Sequence, residues 1–246
     1  MSQTDRPARA LYIAGEWRTG GGRVAQDVLN PATGATIGTV PHASAADLDE
    51  ALAAAERGFR AWRETPGETR AAVLSKTAAL IRERADALAA IATEEQGKPL
   101  AEARGEAIGA AAILDFHAGE AVRIYGRVLP RASGLRSMVL KQPVGPVAAF
   151  CAWNFPLLNV VRKLSPAIAS GCSVILKPSE ETPASATAIL QCFQDAGLPG
   201  EVAQIVFGVP DEVSRTLLAS PVTRKLSFTG SVPIGKHLMR LAADSV

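Results

Sequence analysis

The feature that most constrains the fold is an alternation filling the second half of the sequence. Four apolar, strand-like runs, Val147 to Trp153, Ser173 to Leu176, Val202 to Phe207 and Lys225 to Thr229, are separated by helical patterns at Leu157–Ser170, Ala184–Ala196 and Asp211–Ala219. Strand, helix, strand at this spacing calls for right-handed crossovers and hence a parallel sheet covered by helices. In such sheets ligands sit at the carboxyl ends of the strands, so chemistry is to be sought just after each run. The expected fold class is α/β, an open parallel Rossmann-like sheet.

The first half reads differently. Leu11 to Trp17 around Gly15, Val28-Leu29, the turn Asn30-Pro31-Ala32-Thr33-Gly34 and Thr36 to Val40 look like hairpins. From Ser44, placed to cap, helical periodicity takes over with Leu48, Leu52, Ala55 and Phe59 on one face. Thr65-Pro66-Gly67-Glu68 resembles a capping box opening the next helix, Gly97 before Pro99 closes another, and Leu100 to Val122 is Ala-rich and periodic. Together these predict an N-terminal hairpin and helical layer. The period is then lost, and Ile124 to Leu129 and Met138 to Leu140 read as an arm-like hairpin over 123–142, interrupting a body made of residues 1–122 and 143–246.

Composition excludes several classes. Of 246 residues 48% are apolar, so a packed core is expected, and the net charge of +2 offers no field for nucleic acid. The longest apolar stretch, Val144 to Trp153, is broken by Gly145 and Pro146 and is about half the ~20 residues of a membrane helix. The polar N-terminus has no secretory core. Cys151, Cys172 and Cys192 are an odd number without paired spacing, which fits free thiols in a reducing cytoplasm. His42, His117 and His237 are isolated, so no metal is expected.

Two glycine patterns resemble phosphate loops. Gly20-Gly21-Gly22-Arg23-Val24-Ala25 precedes a hairpin and reads as a turn. Gly230-Ser231-Val232-Pro233-Ile234-Gly235-Lys236-His237 follows a strand, but His237 stands where magnesium would need a hydroxyl, and Pro233 removes a donor. An NTPase is therefore a minor reading. The strand–turn–helix context still offers the amides beside Gly230 and Ser231 to some phosphate.

After the first strand comes Asn154, whose amide either donates to a developing oxyanion or caps the helix begun by Pro156. After the second come Lys177, Pro178, Ser179 and Glu180, a cation and a carboxylate that either hold a ribose or form a solvated loop. On a ribose, the carboxylate would accept from a free 2′-hydroxyl and repel a 2′-phosphate, favouring NAD over NADP.

The order of these motifs resembles that of the aldehyde dehydrogenase superfamily: Trp153-Asn154-Phe155-Pro156, Gly171-Cys172, Leu176-Lys177-Pro178-Ser179-Glu180, then Ser227-Phe228-Thr229-Gly230-Ser231. Tyr12-Ile13-Ala14-Gly15-Glu16-Trp17, Asn30-Pro31-Ala32-Thr33-Gly34 and Glu95-Gln96-Gly97-Lys98-Pro99 extend the resemblance over essentially the whole chain. It implies that Trp153 and Asn154 line the nicotinamide end of NAD(P), that Asn154 is an oxyanion donor, that Lys177 and Glu180 hold the adenosine ribose, and that Gly230 and Ser231 open the helix facing the pyrophosphate. Ala152 replaces a proline common before the tryptophan, and Gly208-Val209-Pro210-Asp211 lacks the second glycine often found after the third strand, where the resemblance implies a cofactor contact at Gly208.

Tyr125-Gly126-Arg127, Lys141-Gln142-Pro143 and Arg162-Lys163 resemble the succinate-semialdehyde dehydrogenase branch, where the arginine matching Arg162 receives the substrate's distal carboxylate. Without that resemblance, Arg162-Lys163 would read as a solvated basic pair. The family also uses a general-base glutamate and a nucleophilic cysteine, and neither motif occurs within residues 1–246. The expectation is the N-terminal, cofactor-binding half of a dehydrogenase that is homo-oligomeric when complete, inactive as this chain alone, with the arm for oligomerisation and the catalytic domain absent. The competing expectation is a truncated, catalytically silent nucleotide-binding or interaction module.

Overall fold

A computed structural model describes residues 9–246. The polar opening residues 1–8 lie outside them. In chain order the elements are β1 (Leu11–Ile13), β2 (Glu16–Arg18), β3 (Ala25–Leu29), β4 (Thr36–Pro41), α1 (Ala45–Trp62), α2 (Gly67–Glu83), α3 (Ala85–Gln96) and α4 (Leu100–Ala121). They continue with β5 (Arg127–Leu129), β6 (Ser137–Val139), β7 (Val147–Phe150), α5 (Pro156–Ala169), β8 (Val174–Lys177), α6 (Pro183–Asp195), β9 (Ala203–Ile205), α7 (Pro210–Ala219), β10 (Lys225–Phe228) and α8 (Val232–Ala242).

The predicted alternation forms a sheet of order β10-β7-β8-β9-β1-β2. Its first four strands are parallel, and the registers Phe150↔Lys177 and Phe228↔Phe150 bring the carboxyl ends of β7, β8 and β10 level. The first hairpin is not a separate layer: β1 pairs antiparallel with β9 and with β2, extending the sheet at its edge. Ala14 donates its N–H to Gln204 Oε1 at 2.7 Å, fastening that edge. The chain steps from β7 to β8 to β9 and then returns past β7 to β10. Right-handed connections accordingly place α5 and α6 on one face and α7 on the other, with the change of direction between β7 and β10.

Local chemistry explains most boundaries. Ser44 and Asp47 form the capping box of α1, with Ser44 Oγ accepting from the Asp47 N–H and Asp47 Oδ2 accepting from the Ser44 N–H. Gly97, left-handed at φ 87°, ends α3. Prolines open α5, α6, α7 and α8 where a missing N–H costs nothing. The box expected at Thr65–Glu68 does not form. Pro66 occupies the cap position without a side-chain bond, and Thr65 Oγ1 donates back to the Ala61 carbonyl of the preceding helix.

Helices α2, α3 and α4 pack on one another and on α5 and α6, while α1 lies against β1, β8, β9 and α7. Strands β7 and β8 are buried throughout. Among the described residues, strands β5 and β6 pair only with each other, an isolated ribbon exposing Val128, Leu135, Met138 and Leu140. Among the described residues no helix is long and apolar enough to cross a membrane, and no group of His, Cys, Asp and Glu could hold a metal ion.

Candidate functional site

At the change of direction between β7 and β10 the sheet opens into a cleft of about 190 Å³. Its walls are Phe150, Cys151 and Ala152 after β7, Lys177 ending β8, and Phe228 to Ser231 after β10, with α7 and α8 alongside. This is where topology places a ligand in an open α/β sheet. Ser231 is the N-cap of α8 and makes no side-chain cap bond, so the positive end of that helix meets the cleft with its amides uncapped by a side chain. Gly230 has no room for anything larger: a Cβ there would lie 2.5 Å from Cζ of Phe228. His237 is engaged at the surface with Asp211 Oδ1, 2.8 Å away.

Lys177 and Glu180 are not a solvated loop. They are 6% and 7% exposed, and Lys177 Nζ donates to Glu180 Oε2 at 2.6 Å. The second carboxylate oxygen, Oε1, accepts the Gly208 N–H at 3.0 Å. Gly208, at φ 151°, thus joins the ends of β8 and β9 through a carboxylate. Pro178 is buried against this pair, whereas Ser179 turns outward and bonds Glu181.

Trp153 and Asn154 lie on the exposed loop between β7 and α5. Asn154 does not cap α5: the N-cap is Phe155, and Asn154 Oδ1 instead accepts from Asn159 Nδ2 at 3.3 Å. That bond fixes the amide with its oxygen inward and leaves Nδ2 as a donor. Two residues outside the expected site hold the loop. Glu106 on α4 accepts the Leu157 and Leu158 N–H groups at 2.8 and 2.9 Å, capping α5 from another element. Lys98 pairs with Glu106, donates to the Asn154 carbonyl at 3.1 Å and lies 4.3 Å from the Phe155 ring centroid. Lys98 belongs to the Glu95–Pro99 motif, so the signal was present but carried no role.

On α5 the basic pair divides. Arg162 is exposed and has no ion-pair partner among the described residues, and it does not line the cleft. Lys163 is buried and donates to Ser227 Oγ at 3.1 Å, tying α5 to β10, and burial holds its pKa down. All three cysteines are buried and free. Burial pushes the Cys151 thiol up to about 12 and Cys192 up to about 11, so neither supplies a thiolate near neutral pH.

Residues 17–246 match the aldehyde dehydrogenase family. The chain belongs to that family. It is 50% identical over 234 residues to 4-(hydroxymethyl)benzenesulfonate dehydrogenase of Comamonas testosteroni, covering 95% of this chain and 49% of that protein. The crystal structure of succinate-semialdehyde dehydrogenase from Burkholderia pseudomallei superposes with a TM-score of 0.96 at 40% identity, over all of this chain and 51% of the other. Betaine aldehyde dehydrogenase from Staphylococcus aureus, solved with NAD+, gives 0.94 at 31% identity over 99% of this chain and 49% of its own. The chain spans about half the length of the curated relatives it matches.

Proposed function

We propose that this chain is the nucleotide-binding half of an NAD-dependent aldehyde dehydrogenase acting on a semialdehyde of the succinate type. The carrying observation is the buried Lys177–Glu180–Gly208 assembly, level with the uncapped N-terminus of α8 across the cleft. These residues fit a dinucleotide. Lys177 and Glu180 offer a donor and an acceptor to neighbouring ribose hydroxyls, and the first turn of α8 with Gly230 and Ser231 offers amides to a pyrophosphate. The Glu180 carboxylate would repel a 2′-phosphate, which favours NAD over NADP. When bound, the nicotinamide supplies the hydride acceptor.

Asn154 stands in this reading as the oxyanion donor, with Trp153 beside it at the nicotinamide end. Its Nδ2 is oriented by Asn159, and its backbone is held by Lys98, so the donor is positioned before substrate arrives. Arg162 is assigned to the anionic end of the substrate, for which a planar guanidinium suits a carboxylate or a sulfonate. The proteins similar to this one include dehydrogenases named for a sulfonate and for succinate semialdehyde, which supports an anionic substrate. Residues 123–142 form the oligomerisation arm, and a cytoplasmic setting suits three free thiols. Because every cysteine is buried, the chain by itself binds nucleotide without oxidising aldehyde.

Calorimetric titration of the 246-residue chain tests this. NAD binds more tightly than NADP, Glu180→Gln weakens NAD at least tenfold, Ser179→Ala changes little, and succinate semialdehyde yields no NADH. Absence of NAD binding, or equal affinity in Glu180→Gln, overturns the proposal.

A further inference from the structure

A second cleft, of about 780 Å³, lies away from the strand ends, between α2, the end of α4, the end of α5 and the base of the arm. Its lining is rich in cations: Arg63, Arg70, Arg123 and Lys141 line it together with Glu68 and Glu120. Two of these cations are already matched, Arg123 by Glu120 at 3.2 Å and Arg63 by Glu64 at 3.0 Å. Arg70 is not. It is 9% exposed, its Nε is buried without an acceptor, and among the described residues its guanidinium makes no hydrogen bond or ion pair.

The fold makes room for this guanidinium specifically. Gly171, at φ 84° in the turn after α5, would place a Cβ 2.3 Å from Arg70 Nη1 and 3.0 Å from Pro143 Cγ. Gly171 is called for by its left-handed φ where the Gly171 and Cys172 N–H groups close α5 on the Ile168 and Ala167 carbonyls, and its missing Cβ also admits the Arg70 guanidinium. Arg70 also sits in the first turns of α2, whose N-terminus has no side-chain cap bond. A guanidinium cannot shed its proton, so its burial without an acceptor is costly unless an anion is supplied. Glu68 acts on it only through space.

We propose that this cleft is an oxyanion site in which a carboxylate seats on Arg70, with Lys141 closing over it from the arm. Lys141 is exposed and without an ion-pair partner among the described residues, so it can follow an anion into the cleft. A planar carboxylate matches the guanidinium fork, and a phosphate offers the same oxygens. The carboxylate comes either from a small free acid or from an acidic side chain of a second copy of the chain.

The test is a titration of the 246-residue chain with sodium malonate, and separately with inorganic phosphate, at constant ionic strength, following arginine Nε–H signals by ¹⁵N NMR. The expected result is a saturable shift of the signal that Arg70→Lys removes, with at least tenfold weaker malonate binding in Arg70→Gln. Lys141→Gln, on an exposed side chain, weakens malonate several-fold with the fold intact, and keeps the test decisive should the Arg70 variants not fold. Sedimentation in the same titration separates the sources. An unchanged sedimentation coefficient identifies a free acid, whereas dissociation of an associated species, reproduced by Arg70→Gln, identifies a second copy. Either no saturable shift in the parent chain, or malonate binding unaffected by Lys141→Gln, overturns the proposal.

Discussion

Four carboxylates, Asp47, Glu95, Glu106 and Glu180, are each at most 7% exposed, and each accepts at least one backbone N–H. Buried carboxylates are tolerable on those terms, because the donors replace water. Asp47 shows the consequence for pH. The Arg23 guanidinium, bonded at 2.8 and 2.9 Å, and the Ser44 cap hold its carboxyl well below the usual carboxylate range. A depressed acid contributes stability above its unfolded value, near 3.9, and that contribution is lost as the pH falls through the native value. Asp47→Asn should therefore be less stable by about 2 kcal/mol at pH 7, with the gap narrowing below about pH 4. Urea unfolding at pH 7 and pH 3 measures both. The Ser44 cap was legible from spacing alone, since its partner is three residues away. Arg23 was not, because it sits in a glycine-rich turn that reads as flexible. Lys177 and Glu180 were legible as a pair, but their burial depends on Gly208, 28 residues on, which spacing cannot reveal.

At the scale of elements, the helix start announced by Pro156 was read correctly, while caps supplied from another helix left no local trace. Glu95 on α3 receives the Ala184 and Ser185 N–H groups of α6, and Glu106 on α4 receives those of α5. The helical layer thereby fixes where the two crossover helices begin, and with them the loops that precede the helices. Glu106→Gln would leave Lys98 buried without its carboxylate and is expected to cost about 3 kcal/mol. Hydrogen exchange at Leu157 and Leu158 should quicken, and NAD affinity should fall as the Asn154 loop loosens. An unaltered exchange rate at those amides would show that α5 holds its own start. The Thr65–Glu68 box failed for a related reason: a hydroxyl next to the end of one helix found that helix's carbonyl before the next helix's amide.

For the whole molecule, the parallel core was legible because short apolar runs alternate with longer helical patterns, and length rather than period tells the two apart. The hairpin's place in the sheet was not, since pairing between β1 and β9 joins positions nearly 200 residues apart. The arm is the opposite case, a local pairing with neither edge joined to another strand among the described residues and apolar side chains outward. Such a ribbon seeks cover. Self-association of the chain, followed by sedimentation velocity, should weaken at least several-fold in the double variant Val128→Lys, Met138→Lys, with secondary structure unchanged. Equal association of variant and parent would place the contact elsewhere.

The antiparallel docking of the first hairpin also sets a timetable. Leu11–Ile13 are synthesised well before their neighbour Ile205, which follows only after roughly 10–40 s at usual elongation rates. Through that interval β1, whose three residues are fully buried in the finished sheet, has no strand to join other than β2. The apolar β1 must wait in the open, and a nascent chain stalled before residue 205 should be a better client for chaperones than one stalled shortly after it.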